Sequence, residues 1–154
     1  MFNFRNYDGM DETFAKFLND NKGEFGATVE YLPGNEDIYS AFAADISKSY
    51  ADDVIELLRS VNVLIYNGQD DVVVKTQGVL QYLQSLNWEG IAAWKRTEKS
   101  IWTIHGEVRG WAKVNGNLWF ALVNGAGHMV PSDQPLSAFT MLSHFIRGEK
   151  DWKQ

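Results

Sequence analysis

Apolar residues in the first part of the chain repeat with the period of helices. Helices are predicted over residues 11–19, from about residue 35 to residue 46, and over residues 51–60, with residues 20–34 as a loop. In the second helix Ile38, Phe42 and Ile46 recur every four residues after Asn35, which is a good N-cap. Residues 1–60 are therefore expected to form a mainly helical lead-in.

The pattern changes in residues 61–154, where strands and helices are expected together. Val61 to Tyr66 is short and apolar at both alternating positions, which is typical of a parallel strand buried on both faces. Apolar and polar residues alternate over residues 107–114. The dipeptide Asn115-Gly116 and the apolar run 118–123 follow, and this order predicts a hairpin. Helices are predicted over residues 76–86 and 132–148, while residues 89–100 give no clear period. Strand, acidic loop and helix in this order indicate an α/β fold.

Length and composition favour one globular domain spanning residues 1–154. The chain has 45% hydrophobic and 22% charged residues, which is typical of a folded protein. Its six tryptophans either fill a large core or cover a surface meant for another piece of protein.

Charge and cysteine content exclude several classes of function. The net charge is −6 and no basic stripe is present, so neither nucleic acid nor a membrane surface is an expected partner. No apolar run reaches the roughly 20 residues of a membrane helix, and residues 1–8 do not form the apolar segment of a signal peptide. Because cysteine is absent, disulfides and zinc–thiolate sites are excluded.

Two loops that follow predicted strands carry candidate chemistry. His128 lies in a glycine-containing loop after residues 118–123, and Asp70-Asp71 follow the strand that ends at Tyr66. An acid after one strand and a histidine after another can orient an imidazole as a general base. No Gly-x-Ser-x-Gly motif occurs in the chain, so a third, nucleophilic member is expected outside it.

Other interpretations of these side chains remain open at this stage. His128 is alternatively a loop histidine bonded only to backbone. Asp70 and Asp71 together are a possible metal-ligand pair, but no third ligand at useful spacing supports it, and no metal or cofactor is expected. The pair fits better if one carboxylate faces His128 while the other caps the next helix or faces water. His105 and His144 carry no motif and are expected in structural or surface roles.

Longer motifs resemble the serine carboxypeptidases, which are α/β-hydrolase-fold exopeptidases. The acid block runs from Val63-Leu64-Ile65-Tyr66-Asn67-Gly68-Gln69-Asp70-Asp71 to Leu86-Asn87-Trp88-Glu89-Gly90, and the histidine block is Gly125-Ala126-Gly127-His128-Met129-Val130-Pro131-Ser132-Asp133-Gln134-Pro135. The resemblance extends from about residue 14 to residue 152, and it covers only the C-terminal part of such an enzyme. It implies the C-terminal portion of an α/β-hydrolase fold, a mixed sheet flanked by helices.

The resemblance also implies roles for three residues. The family's catalytic aspartate falls on Asp71, its catalytic histidine on His128, and a methionine that helps to wall the substrate pocket on Met129. The chain departs from the family pattern at Asp70, where an apolar or variable residue is usual, and at Lys75, where asparagine is common. The family's cysteines have no counterpart. The nucleophile elbow, the oxyanion loop and the residues that hold the substrate's terminal carboxylate belong to the missing N-terminal part.

Two functional hypotheses follow from this resemblance. In the first, the chain supplies Asp71 and His128 to a serine carboxypeptidase and acts on peptide substrates together with a serine-bearing N-terminal chain or segment. In the second, it is a non-catalytic subunit or pseudoenzyme retained as a structural module. The family implies a lysosomal, vacuolar or secreted location. In either case the chain alone is expected to expose a strand edge and apolar helix faces.

Overall fold

The computed structural model describes residues 15–25 and 36–152. These residues belong to two compact units, residues 1–49 and residues 50–154, which are described separately. The division of the chain expected from the sequence, a single domain with a lead-in over residues 1–60, stays a prediction.

Helices make up most of the described part of the first unit. Residues 15–20 are helical, followed by α1 (Lys22–Phe25) and α2 (Glu36–Ile46). The loop predicted for residues 20–34 is therefore wrong at α1, where one turn of helix forms, and its remainder from residue 26 lies outside the described residues. The predicted second helix is confirmed as α2, whereas Asn35 and residues 11–14 lie outside the described residues.

The second unit contains both helices and strands. Its elements are α3 (Ala51–Ser60), β1 (Val63–Gly68), α4 (Thr76–Ser85), α5 (Ile91–Arg96), β2 (Ser100–Ile104), β3 (Glu107–Asn115), β4 (Leu118–Val123), α6 (Val130–Asp133) and α7 (Pro135–Arg147). The helices predicted over residues 51–60 and 76–86 are confirmed. The helix predicted over residues 132–148 is divided, because the backbone of Gln134 between α6 and α7 is not helical, with φ −135° and ψ 67°.

The described strands form one mixed sheet in the order β1-β4-β3-β2. β1 runs parallel to β4, with Val63 opposite Leu118 and Gly68 opposite Val123, and β4 pairs antiparallel with β3. All six residues of β4 are buried, because β4 has a paired strand on both sides and helices over both faces. The mixed sheet flanked by helices expected for part of an α/β-hydrolase fold is confirmed.

Side chains of β4 point alternately into two apolar clusters, one on each face of the sheet. Leu118, Phe120 and Leu122 pack in a cluster with residues of α3, α4 and α5, including Leu58, Leu83 and Trp94. Trp119, Ala121 and Val123 pack in the opposite cluster with residues of β2, β3, α7 and the C-terminal segment, including Trp102, Met141 and Trp152. Four of the six tryptophans are fully buried, so the tryptophans mainly fill the core.

Two tight turns connect β2, β3 and β4. Between β2 and β3, His105 and Gly106 both have positive φ, at 52° and 78°, which is the conformation of a two-residue type I′ hairpin. Between β3 and β4 the turn residues are Gly116-Asn117, because Asn115 pairs with Leu118. The hairpin is confirmed, but the turn lies one residue later than the predicted Asn115-Gly116, since Gly116 with its φ of 56° takes the first turn position.

β1 is less buried than its sequence predicts. Among the described strands it has a neighbour on one side only, so Val63, Leu64 and Ile65 are half-buried and Tyr66 remains 43% exposed. The predicted parallel pairing is confirmed, whereas the predicted burial on both faces is wrong for this chain. The cause is the edge that is unpaired among the described strands, which leaves the two faces of β1 incompletely covered.

Candidate active site

The parallel pairing of β1 and β4 brings the two candidate loops together. Parallel strands end at the same edge of a sheet, so the loop after β1 and the loop after β4 start side by side. Backbone hydrogen bonds join them, since the amide of Gln69 donates to the carbonyl of Val123 at 2.9 Å and that of Asp70 donates to Ala126 at 2.9 Å. The backbone of the acid loop (residues 69–75) is thus tied directly to that of the histidine loop (residues 124–129).

Gly68 sets the distance between these loops. A Cβ atom at Gly68 would lie 2.2 Å from the carbonyl oxygen of Gly127 and 2.3 Å from that of Ala126. Both neighbours are backbone atoms, which cannot rotate away as a flexible side chain does. The absence of a side chain at residue 68 therefore allows the histidine loop to pack against the end of β1.

The carboxylate of Asp71 is buried and has three hydrogen-bond donors. One oxygen accepts from the backbone amides of Val73 at 2.8 Å and Val74 at 2.9 Å. The other oxygen lies 3.0 Å from Nδ1 of His128. Because the two amides hold the first oxygen, the second is fixed in its direction toward the imidazole.

The electrostatics favour the ionised form of Asp71. Burial by itself raises the pKa of this carboxyl, but the hydrogen bonds from Val74, His128 and Val73, together with the attraction of the His128 ring, bring the pKa below its ordinary value of 3.8. An ionised carboxylate can only accept hydrogen bonds, so Nδ1 of His128 must carry the proton between them. The neutral imidazole then has a free lone pair on Nε2.

The acid is buried and the imidazole is accessible, which is the arrangement that proton transfer at the imidazole requires. The side chain of Asp71 is 2% exposed, whereas that of His128 is 38% exposed. A buried carboxylate orients such an imidazole through one ring nitrogen. The other nitrogen, Nε2, can then accept a proton from a group that approaches the exposed side. The interpretation of His128 as a loop histidine bonded only to backbone does not fit this contact.

Comparison with known proteins identifies the family. A family model described as serine carboxypeptidase matches residues 10–148. The chain belongs to the serine carboxypeptidase family. Among the relatives of this chain, the venom serine carboxypeptidase of Apis mellifera is 35% identical over 119 residues, which are 77% of this chain and 26% of that protein. The vitellogenic carboxypeptidase of Aedes aegypti is 32% identical over 140 residues, 88% of this chain and 30% of that protein.

A solved structure agrees with this assignment at the level of fold. The crystal structure of a prohormone-processing carboxypeptidase from Saccharomyces cerevisiae matches with a TM-score of 0.67 at 24% identity, over 77% of this chain and 26% of that one. The chain thus spans between a quarter and a third of the length of these proteins. Within the described residues, no helix is long and apolar enough to cross a membrane.

The remaining candidate residues take no part in the hydrogen bond between Asp71 and His128. Asp70 is exposed, so of the two adjacent acids Asp71 is the one that meets the histidine. Met129 follows His128 and is half-buried, which leaves its predicted role in the substrate pocket untested. His105 forms a turn, and His144 is buried with its ring stacked on Trp152.

In residues 15–25 and 36–152, no three acidic or histidine side chains are grouped to hold a metal ion.

Two hydrogen bonds from one side chain, Asn67, support the acid loop, and this role was not identified from sequence. The side-chain amide of buried Asn67 donates to the carbonyl of Val74 at 2.8 Å and to the hydroxyl of Thr76 at 3.0 Å. These bonds close the loop that presents the Val73 and Val74 amides to Asp71. Asn67 belongs to the acid block, but its role depends on a contact with Val74, seven residues later in the chain. Local periodicity does not reveal such a contact.

Proposed function

We propose that this chain supplies the acid and the base of a serine carboxypeptidase and acts with a separate serine-bearing N-terminal part. The reaction is the removal of C-terminal residues from peptides through an acyl-enzyme. The observation that carries the proposal is the 3.0 Å contact between Nδ1 of His128 and the buried, ionised carboxylate of Asp71.

In the proposed first step His128 acts as the general base. Nε2 takes the proton of the partner's serine hydroxyl while the serine oxygen attacks the peptide carbonyl carbon. The imidazolium that forms is stabilised by Asp71 through the Nδ1–H hydrogen bond, and Asp71 stays ionised throughout. The same Nε2 proton then passes to the departing nitrogen, so that the C-terminal residue leaves with a neutral amine.

In the second step His128 repeats this role with water. Nε2 removes a proton from a water molecule, whose oxygen attacks the acyl carbon, and the proton returns to the serine oxygen as the ester bond breaks. Both steps need an accessible ring, because the serine hydroxyl and the water must each reach Nε2. The exposed side of His128 is suited to this. Met129, adjacent in sequence, is proposed to contact the substrate.

Two surfaces of the second unit support the need for a partner. Among the described strands, the edge of β1 away from β4 is unpaired and presents backbone groups that a further strand can bond. The helix α7 has one buried face. On its other face, four apolar side chains are at least half exposed: Leu136, Phe139, Leu142 and Ile146. Apolar surface of this kind marks an interaction site, and we assign both surfaces to the serine-bearing part.

Substrates and location follow from the same proposal. Peptides with a free C-terminus are the expected substrates, and a lysosomal, vacuolar or secreted enzyme is the expected setting. Nucleic acid and membranes are not proposed as partners, in keeping with the net charge of −6.

Native purification followed by mass spectrometry and a peptidase assay tests the proposal. A co-purifying chain with a Gly-x-Ser-x-Gly motif, together with release of C-terminal amino acids that His128→Ala abolishes, is the expected result. Peptidase activity that survives in His128→Ala contradicts the assigned base. Partners that lack such a motif, with no peptidase activity, favour the non-catalytic structural subunit instead.

A further inference from the structure

Asp133 contacts the histidine loop from the side opposite the acid loop. Its Oδ2 accepts a hydrogen bond from the backbone amide of Gly127 at 2.8 Å, across six residues of sequence. Gly127 directly precedes His128, and Asp133 is the last residue of α6. A charged acceptor bonded to a loop amide is among the stronger hydrogen bonds in proteins.

The residue after His128 is held by the same turn of chain. The carbonyl of Met129 accepts from the backbone amides of Ser132 at 2.9 Å and Asp133 at 3.0 Å. The segment from Gly127 to Asp133 is therefore closed at both ends: the Asp133 side chain bonds the residue before His128, and the Asp133 amide bonds the residue after it. This closure limits the positions that the His128 backbone can take.

The acid loop fixes the other flank of the same segment. The carbonyl of Ala126 accepts the Asp70 amide at 2.9 Å, and Gly68 packs against the carbonyls of Ala126 and Gly127. The peptide between Ala126 and Gly127 is thus held through its oxygen by the acid loop and through its nitrogen by Asp133. Without the second contact, this peptide can rotate about its first hydrogen bond and carry His128 with it.

We propose that Asp133 is the positioning residue of the histidine loop, whose side-chain acceptor holds the Gly127 amide and so aims the His128 ring at Asp71. The catalytic consequence rests on the proposed carboxypeptidase function, whereas the aiming of the ring does not. What matters is the acceptor oxygen at this position. Asp133→Asn keeps an acceptor and nearly the same volume, while Asp133→Ala removes the acceptor.

The test observes the ring directly, without an assay of activity. In the chain labelled uniformly with ¹⁵N, the Nδ1 proton of His128 bonded to a carboxylate gives a resonance downfield of the amides, and His128→Ala assigns it among the three histidines. Asp133→Ala is expected to lose or broaden this resonance, and amide exchange at Gly127 is expected to speed up by at least about ten-fold. Asp133→Asn is expected to keep both.

Several results overturn the proposal. Retention of the His128 resonance and of Gly127 protection in Asp133→Ala shows that the contact does not aim the ring. Loss of both in Asp133→Asn shows that the charge, not the acceptor, is required. If Asp133→Ala does not fold, Asp133→Leu keeps the volume without an acceptor and answers the same question, with exchange protection in the β3–β4 hairpin as the measure of an intact fold.

Activity in the assembled enzyme provides a second readout. In the native complex with the serine-bearing part, kcat of Asp133→Ala is expected to fall about 100-fold with KM little changed, because a misaligned base slows the chemical step and not binding. Asp133→Asn is expected to keep most of kcat. A wild-type complex without activity refutes the proposed function but leaves the NMR result on Asp133 valid.

Discussion

Nδ1 of His128 lies 3.0 Å from the carboxylate of Asp71, although 57 residues separate the two in sequence. The contact forms at the shared end of two parallel strands, and it joins a buried acid to an exposed imidazole. The catalytic proposal and the predictions for Asp71 and Gly68 depend on the geometry of this pair.

Asp71→Asn is expected to lower kcat of the assembled enzyme by about 10⁴-fold. The amide at position 71 can place a donor opposite Nδ1 and so favour the wrong tautomer of His128. Asp70→Asn is the matched control, because Asp70 carries the same charge next to Asp71 but is exposed. Release of C-terminal amino acids from a peptide measures both. Equal losses in the two variants would contradict the distinct role of Asp71.

Gly68→Ala is expected to destabilise the fold and to separate the two loops. Its Cβ would lie 2.2 Å from a backbone oxygen, so either β1 or the histidine loop must move. Gly78→Ala is the control: nothing lies within 4 Å of its Cβ and it lies in α4, where alanine is favoured by up to about 1 kcal/mol. Unfolding by denaturant measures both changes. A Gly68→Ala variant as stable as wild type would contradict the close approach of the loops.

The acid block and the histidine block allow Asp71 and His128 to be predicted as a pair from sequence. Their side chains follow apolar strands, and those strands have strong local patterns. The supports of the site could not be predicted in this way. Gly68, Asn67 and Asp133 act through distances to other segments, and no periodicity within one element encodes such a distance.

The same contrast applies to the fold. The strand β4 and the helices α3 and α4 follow from their apolar periods. In contrast, α5 lies within residues 89–100, which have no clear period, and β2 begins at the end of that range and was not predicted. α5 has only six residues and β2 only five, so each offers too few repeats. Trp94 and Trp102 anchor these two elements in opposite clusters. Tertiary packing of single large side chains therefore determines structure there.

Stability of the fold is expected to depend on the ionisation of Asp71. Its pKa in the folded state lies below the ordinary value of 3.8, so the ionised carboxylate stabilises the fold above about pH 3.8. This contribution is lost as the pH falls through the lowered folded value. The difference in unfolding free energy between wild type and Asp71→Asn should thus be largest near neutral pH and shrink below pH 3.8.

Unfolding measured at a series of pH values checks this expectation. Asp70→Asn serves as the control and should follow the wild-type dependence, since the other acidic groups are the same in both. A difference between wild type and Asp71→Asn that stays constant from pH 7 to about pH 2 would contradict the assigned ionisation of Asp71.

The exposed apolar side of α7 gives a prediction about assembly. Phe139→Glu is expected to weaken binding of the serine-bearing part, because Phe139 is 72% exposed and lies among the apolar side chains assigned to that contact. Ile101→Glu is the control, since Ile101 is 58% exposed on β2, which belongs to neither of the two surfaces assigned to the partner. Co-purification yield measures both variants. Equal yields for Phe139→Glu and wild type would exclude α7 from the interface.

The most direct measurement is labelling of the native complex with a serine-directed covalent probe, followed by mass spectrometry of the labelled residue. We expect a labelled serine on a partner of the wild-type chain. Labelling should be strongly reduced in His128→Ala and retained in His105→Asn, where only a turn residue changes. Equal labelling of that serine in wild type and His128→Ala, or no labelled serine at all, would contradict the claim that this chain supplies the base of a serine carboxypeptidase.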